Sequence, residues 1–237
     1  MRVKLLSEKW KVGLMKISIL TLFTDMFEVF NHSIIGKARD NDIVDIELIN
    51  IRCFSEDKHK KVDDYPFGGG AGMLMSVVPI YNALKFVKSK LDGKVVYLGP
   101  RGNVFNQSKA YELSKDEHLI FLCGHYEGID ERCYNFIDEE ISLGDFVLTG
   151  GDMAAIPVID SIVRLVPSVI NERSLDNESF SCGLLDFPQY TKPREFMGMN
   201  VPDVLLSGNH AEIEKWRRSE SFRITKKFKP YLLKNEK

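Results

Sequence analysis

The sequence lacks the signatures of several common protein classes. None of its four cysteines forms a C-x-x-C pair, so the signature of a zinc ribbon or a thioredoxin-type redox site is absent. Four cysteines in a chain of this length do not indicate a disulfide scaffold, and we expect reduced thiols in the cytoplasm. The five histidines are scattered and form neither H-x₃-H nor H-E-x-x-H, which argues against catalytic zinc. No apolar run approaches the roughly 18 residues of a membrane span. A serine hydrolase is disfavoured because no G-x-S-x-G elbow is present.

What is present indicates a globular protein with a sizeable core. Of the 237 residues, 44% are hydrophobic and 11% aromatic, which excludes collagen-like chains and general disorder. The formal net charge of −2 excludes a uniformly basic nucleic-acid coat, but it leaves room for a local basic patch.

Strand-like and helix-like segments alternate over residues 15–167. Apolar and β-branched runs predict strands at 16–23, 43–51, 95–98, 118–123 and 140–143. Helical spacing predicts helices that begin near Thr24 and that cover 76–90, 106–114, 129–136 and 152–165. This order indicates an α/β fold, a mostly parallel sheet with helices on both faces.

The flanking segments have a different character. Residues 1–14 are basic without an apolar signal-peptide core, and we interpret them as a loose N-terminal extension before Met15. Residues 168–182 are polar and poorly periodic, as expected of a mobile linker. Residues 183–237 are predicted to form a small all-helical domain, with helices at 209–222 and 224–233. From Ala211 to Lys237 this domain carries nine Lys or Arg against four Glu.

Glycine-containing loops follow three of the predicted strands. They contain Gly99 and Gly102, then Gly124 and Gly128, then the run from Gly144 to Gly151. Ligands of open α/β sheets bind beyond the carboxyl ends of the strands, so these loops can surround one ligand, although tight turns alone would also explain them. A fourth loop, at 66–73, has four glycines in five residues but matches neither G-x-G-x-x-G nor a P-loop.

Five ordered motifs together resemble the bacterial tRNA (guanine-N1)-methyltransferases of the trefoil-knot SPOUT superfamily. The motifs are VDDYPFGGGAGM (62–73), GHYEGIDER (124–132), GDFVLTGG (144–151), SFSCGLLD (179–186) and SGNH (207–210) with Trp216 and Arg217. The resemblance runs from about Met15 to the C-terminus.

The resemblance implies a homodimer with an active site shared between chains, and a knot at about 95–165. It also implies methyl transfer from S-adenosylmethionine to N1 of the guanosine immediately 3′ of the tRNA anticodon, position 37, which aids reading-frame maintenance. Magnesium dependence is implied too, although no metal site is legible in the sequence. The residues expected to contact the methyl donor are Tyr97, Leu98, Gly99, Gly124, Glu127, Leu143, Gly144, Asp145, Phe146, Val147, Leu148, Gly150 and Gly151.

The chemistry of the reaction requires a base and a cation. Guanine N1 carries a proton at neutral pH, which a positioned carboxylate can remove, and an Arg can stabilise the charge that then grows on O6. In the family these roles belong to an Asp before the Ser-Phe of the linker and to an Arg at the end of the preceding helix. The matching residues here are Glu178, which departs from the usual Asp, and Arg164. Asp176 is the alternative base.

The expected tRNA contacts combine basic groups with glycine-rich backbone. They are Lys58, His59, Gly68, Gly69, Gly70, Ser207, His210 and Arg217, and the basic C-terminal domain is expected to grip phosphates of the anticodon stem. Two alternatives stay open. One is a SPOUT enzyme that acts on another RNA atom, such as a ribose 2′-oxygen, and the other is a non-catalytic RNA-binding relative.

Overall fold

The computed structural model describes residues 14–171, 178–181 and 183–235, which form two compact units divided between Ile170 and Asn171. The predicted linker lies across this division, and its residues 172–177 and 182 lie outside the described part of the chain. Residues 1–13 of the predicted extension lie outside it as well.

The first unit is built on a five-stranded sheet in which every neighbouring pair is parallel, as predicted. The strands are β1 (Met15–Thr21), β2 (Val44–Asn50), β5 (Lys94–Val104), β6 (His118–Leu122) and β7 (Glu139–Ser142), while β3 (Asp63–Asp64) and β4 (Leu74–Met75) form a separate hairpin. The order of the five strands in the sheet is β2-β1-β6-β5-β7.

Helices cover both faces of this sheet because its strands are apolar on both sides. Leu119 and Phe121 of β6 belong to one core cluster, and Ile120 and Leu122 belong to the other. On the first face pack α1 (Ser33–Asp40), α3 (Gln107–Leu113) and α4 (Gly151–Val163), and on the second packs α2 (Val77–Lys90).

Three predicted elements of the first unit differ from the structure. The strand predicted at 95–98 continues to Val104, because the chain bulges out after Leu98 and then pairs with β7 again. The helices predicted from Thr24 and at 129–136 are 3₁₀ helices, Thr24–Asn31 and Glu131–Phe136. The first is separated from α1 by His32, which is extended with φ of −121° and ψ of 167°, and Ser33 at the start of α1 has a positive φ of 57°, so the two helices cannot be continuous.

The second unit is not all-helical. It contains α5 (Asp203–Leu206), α6 (His210–Phe228) and a 3₁₀ helix, Pro230–Asn235, but also a hairpin of β8 (Glu195–Phe196) and β9 (Met199–Asn200). Met197 and Gly198 turn this hairpin with φ of 52° and 78°, the sign that a two-residue hairpin turn favours. The predicted helix break near residue 223 is wrong, since α6 continues until the chain approaches Pro230.

A buried histidine joins strands and loops at the amino edge of the sheet. His118 Nδ1 lies 3.1 Å from the carbonyl oxygen of Leu91, which can only accept, so Nδ1 carries the proton. Nε2 then accepts from the Ser18 hydroxyl at 2.9 Å. Burial lowers the pKa of His118 and keeps the ring neutral.

None of the described helices is long and apolar enough to cross a membrane.

The neutral His118 predicts a pH dependence of stability. The unfolded chain takes up a proton near pH 6.5, which the folded ring resists, so the free energy of unfolding should fall below that pH. The slope contributed by one group is at most about 1.4 kcal/mol per pH unit. Urea unfolding of wild type and His118→Gln between pH 5.5 and 7.5 should show a smaller slope for the variant. The exposed His59→Gln is the control, and equal slopes in wild type and His118→Gln would contradict the assignment.

Candidate donor site at the carboxyl edge of the sheet

The bulge in β5 and the loops after β6 and β7 meet at one edge of the sheet. The sequence predicted three glycine-containing loops here, but the first, with Gly99 and Gly102, lies within β5 and not after it. A Cβ on Gly124 would lie 2.7 Å from the Tyr97 hydroxyl oxygen, and one on Gly150 would lie 2.6 Å from His125 Nδ1. These contacts join the middle of β5 to the loops that follow β6 and β7.

A bulge shapes the loop after Leu98. Leu98 and Asn103 both pair with Ile141 of β7, so the four residues between them project from the ladder. Within the bulge, the Arg101 backbone N–H donates to the Glu140 carboxylate at 3.0 Å. The bulge is thereby held against the carboxyl end of β7.

The Arg101 side chain fastens the same bulge to the 3₁₀ helix Glu131–Phe136. Its guanidinium donates twice to the Glu131 carboxylate, at 2.9 Å each, and lies 4.7 Å from the ring centre of Tyr134. The Tyr134 ring in turn meets the buried Tyr97 ring edge-on at 5.7 Å. Burial raises the pKa of the Tyr97 hydroxyl, which stays protonated at neutral pH.

Two glycine backbones approach each other closely in the site. The Gly151 N–H donates to the Gly124 carbonyl at 2.7 Å. A Cβ on Gly151 would lie 2.8 Å from the Gly124 nitrogen and 3.1 Å from Cys123 Cα, so only glycine fits without moving the backbone. Here the start of α4 lies directly on the end of β6.

A buried polar cluster lies beside this crossing, and sequence reasoning missed it. Asp152 is 2% exposed and accepts a hydrogen bond from the Thr21 hydroxyl, at the end of β1. The Cys123 thiol lies beside the same carboxylate. Burial raises the pKa of both Asp152 and Cys123. The signal in the sequence was an acidic residue at the start of a mostly apolar helix.

The glycine-rich loop belongs to the same edge. It is the turn of the β3-β4 hairpin, and Gly68, Gly69, Gly70 and Gly72 all have positive φ. A Cβ on Gly72 would lie 2.5 Å from the Glu127 side chain, and the backbone N–H of Glu127 donates to the Met73 carbonyl at 3.0 Å. Two motifs more than fifty residues apart are thus joined.

The residues predicted to contact the methyl donor differ in how exposed they are. Tyr97, Leu98 and Gly124 are buried, and Gly99, Leu143, Gly144, Gly150 and Gly151 are buried or partly buried. Exposed members are Glu127, Asp145, Phe146, Val147 and Leu148. The edge therefore has a glycine-lined floor that is buried or partly buried and an exposed, largely apolar loop.

The two predicted catalytic residues belong to different units. Arg164 caps the carboxyl end of α4, and its backbone N–H donates to the Asp160 carbonyl at 3.2 Å. Glu178 belongs to the second unit, where its carbonyl accepts from the Ser181 hydroxyl at 2.7 Å. Both side chains are partly buried and both have interaction partners. Asp176 lies outside the described residues, and the catalytic pairing stays a prediction.

The predicted tRNA contacts also come from both units. Lys58 and His59 lie exposed on a turn that the Asp57 carboxylate caps, and the N–H groups it accepts from lower its pKa. In the second unit, the Ser207 hydroxyl accepts from the Asn209 N–H at 3.1 Å, and His210 begins α6. The Arg217 guanidinium lies 4.8 Å from the ring centre of Phe187.

Within residues 14–171, 178–181 and 183–235, no group of three or more His, Cys, Asp or Glu is placed to hold a metal ion.

Comparison with known proteins gives a family match over nearly the whole chain. The family model described as tRNA (Guanine-1)-methyltransferase TrmD matches residues 15–235. Proteins named tRNA (guanine-N(1)-)-methyltransferase are similar throughout. The one from Clostridium tetani is 63% identical over 220 residues, 92% of each chain. The one from Clostridium beijerinckii is 64% identical over 221 residues, 93% of this chain and 92% of that protein.

The glycine crossing predicts unequal effects of two neighbouring substitutions. Gly151→Ala should lower the free energy of unfolding by about 1–3 kcal/mol, because its Cβ meets backbone atoms that cannot move separately. Gly150→Ala is the matched control, since its φ of 179° suits any residue and its Cβ meets mainly a histidine ring, which can turn aside. Urea unfolding of both variants measures the difference, and equal losses would show that the crossing is not the constraint.

Proposed function

The chain belongs to the tRNA (guanine-1)-methyltransferase family, and we propose that it methylates the guanosine immediately 3′ of the anticodon, at position 37, with S-adenosylmethionine as donor. Methylation of guanine N1 in tRNA is the activity of the family, and this chain is an enzyme of that class. The observation that carries the finer proposal is the glycine-lined edge formed by the bulge in β5 and the loops after β6 and β7, a ligand position typical of α/β sheets.

The residues at this edge fit the proposed donor. Without side chains, the glycines at 99, 124, 144 and 151 let the backbone segments of this edge pack closely and allow a ligand to approach the main chain. Phe146 and Leu148 offer exposed apolar surface for a flat base. When bound, the donor supplies a methyl group that its sulfonium has already activated. The protein's task is to hold that methyl in line with guanine N1.

Glu178 is the proposed general base. Its carboxylate would accept the N1 proton, a role that typically contributes about 10²–10⁴-fold to the rate. Glu is one methylene longer than the Asp usual in the family. Because Glu178 lies in a turn of the second unit and not in a regular element, we infer that the loop can absorb the extra length on substrate binding.

Arg164 is the proposed stabiliser of the charge on O6. A guanidinium keeps its charge at every accessible pH and presents a planar set of donors to an oxygen anion. Its position at the end of α4 attaches it to a helix that is buried along most of its length. A helix-borne group holds its geometry better than a loop-borne one.

In the proposed tRNA complex, different parts of the chain bind the phosphates and recognise the base. The basic α6 region would bind backbone phosphates with a salt-dependent and sequence-independent affinity. The loop containing Gly68, Gly69 and Gly70 lies beside Glu127 at the donor edge, where a flipped guanine would be read. We place this reaction in the cytoplasm.

We further propose a homodimer and a trefoil knot over about 95–165. Support for the dimer comes from a largely apolar exposed stretch, Phe146–Leu148, in which Val147 is 96% exposed. Support for the knot comes from the return of the chain after β7 to lie on Gly124.

The catalytic proposal is tested by methyl transfer to tRNA transcripts that carry G or A just 3′ of the anticodon. Wild type should modify only the G transcript, and Glu178→Gln should lower kcat by at least about 100-fold, because the amide cannot accept the proton. Glu195→Gln, an exposed substitution in the same unit, should retain activity.

Other outcomes of this assay contradict particular parts of the proposal. Full activity of Glu178→Gln would place the base elsewhere, with Asp176 next to be tested. Methyl incorporation into ribose would indicate another SPOUT reaction. Binding of donor and tRNA by wild type without transfer would indicate a non-catalytic relative.

The dimer predicts that a charge at Val147 separates the protomers. Val147→Asp should elute as a monomer in size-exclusion chromatography with light scattering, because its carboxylate would be buried at the interface. Val78→Asp, at a partly exposed valine in the first turn of α2, is the control and should stay dimeric. A dimeric Val147→Asp would argue against this interface.

A further inference from the structure

Asp152 holds three chain segments together from a buried position. It lies in the first turn of α4, whereas Thr21 ends β1 and Cys123 directly follows β6. The Thr21 hydroxyl donates to one carboxylate oxygen, and the Cys123 thiol lies beside the carboxylate. His125 Nδ1, a buried atom that lacks a hydrogen-bond partner in the described part of the chain, lies 4.0 Å from Asp152 Oδ2.

The hydrogen bonds leave the Thr21 hydroxyl a single orientation. Its oxygen accepts from the Phe23 backbone N–H at 2.9 Å, so its own proton is directed to Asp152. A buried carboxylate is stable only where such donors satisfy it. Asp152 and Thr21 therefore define each other's positions, and the start of α4 is attached to the end of β1.

This attachment sets the position of the two glycines that precede Asp152. Gly151 donates to the Gly124 carbonyl at 2.7 Å, and the space for a Cβ on Gly150 is taken by His125. If the Asp152 carboxylate moved, the backbone of Gly150 and Gly151 would move with it. The floor of the glycine-lined edge would then shift relative to Tyr97 and Gly124.

We propose that Asp152 is a positioning residue for the methyl donor, acting through Thr21 and through the backbone of Gly150 and Gly151. The inference rests on the proposed donor site at this edge. It assigns Asp152 no contact with the donor or with guanine. Its loss should therefore weaken donor binding and leave tRNA binding intact.

The test compares substitutions at Thr21 and Asp152 by calorimetric titration with S-adenosylmethionine. Thr21→Val keeps the shape but removes the donated proton, and it should raise the donor Kd about tenfold, as should Asp152→Asn. Thr21→Ser keeps the hydroxyl and should bind nearly as wild type does. The KM for tRNA should change by less than about twofold in all three variants.

Ser18→Ala is the matched control for general destabilisation. It removes another buried hydroxyl from β1, the one that donates to His118. Ser18 precedes Thr21 by three residues and so lies nearer the amino edge of the sheet. It should lower the urea midpoint as Thr21→Val does while leaving the donor Kd unchanged. If Ser18→Ala weakens donor binding equally, the Asp152 effect is one of stability alone and the inference fails.

Two further outcomes separate this inference from the function on which it rests. If wild type does not bind S-adenosylmethionine at all, the proposed donor is wrong. If wild type binds it and both Thr21→Val and Asp152→Asn bind equally well, the donor site stands and Asp152 has no positioning role. Should Asp152→Asn fail to fold, the Thr21→Val and Thr21→Ser pair still decides.

Discussion

The close approach of two backbone segments at the carboxyl edge of the sheet is the constraint on which the candidate site depends. Gly151 donates to Gly124 at 2.7 Å and leaves no room for a side chain. Because α4 starts at this contact, the loop that precedes it must return over the end of β6. That return brings the loop after β7 against His125, and so closes the edge around Tyr97. The proposed donor site follows from this one crossing.

Buried polar pairs stabilise both edges of the sheet, with different consequences. At the amino edge, His118 donates to the loop carbonyls of residues 91 and 92 and accepts from Ser18, far from the proposed chemistry. At the carboxyl edge, Thr21 and Asp152 join β1 to the helix that carries the glycine crossing. Both pairs include a residue of β1, Ser18 in one and Thr21 in the other. The same strand therefore contributes to the stability of the fold and to the position of the proposed site. Because the two pairs lie at opposite ends of β1, we expect substitutions at the amino edge to change stability without changing the proposed donor binding.

Much of the fold was predictable because its elements are encoded by local patterns. Parallel strands buried on both faces are continuous apolar runs, and these were found within a few residues of β1, β2, β6 and β7. The errors arose where a local pattern was ambiguous. Phe27 and Phe30 suit a 3₁₀ helix as well as an α-helix, and Gly99 with Pro100 looked like the end of a strand that the bulge continues to Val104. The hairpin turned by Met197 and Gly198 has too few strand residues to show periodicity.

By itself the sequence determined the order of elements, the parallel sheet, the glycine loops and, through ordered motifs, the family. Only the tertiary structure decided which of those loops touch and what holds them in place. Thr21 and Asp152 are 131 residues apart, and neither belongs to a motif with a spacing that would pair them. Their contact exists because β1 and β6 are neighbours in the sheet and α4 begins above them. Such a contact depends on the packing of distant elements, which local patterns do not encode.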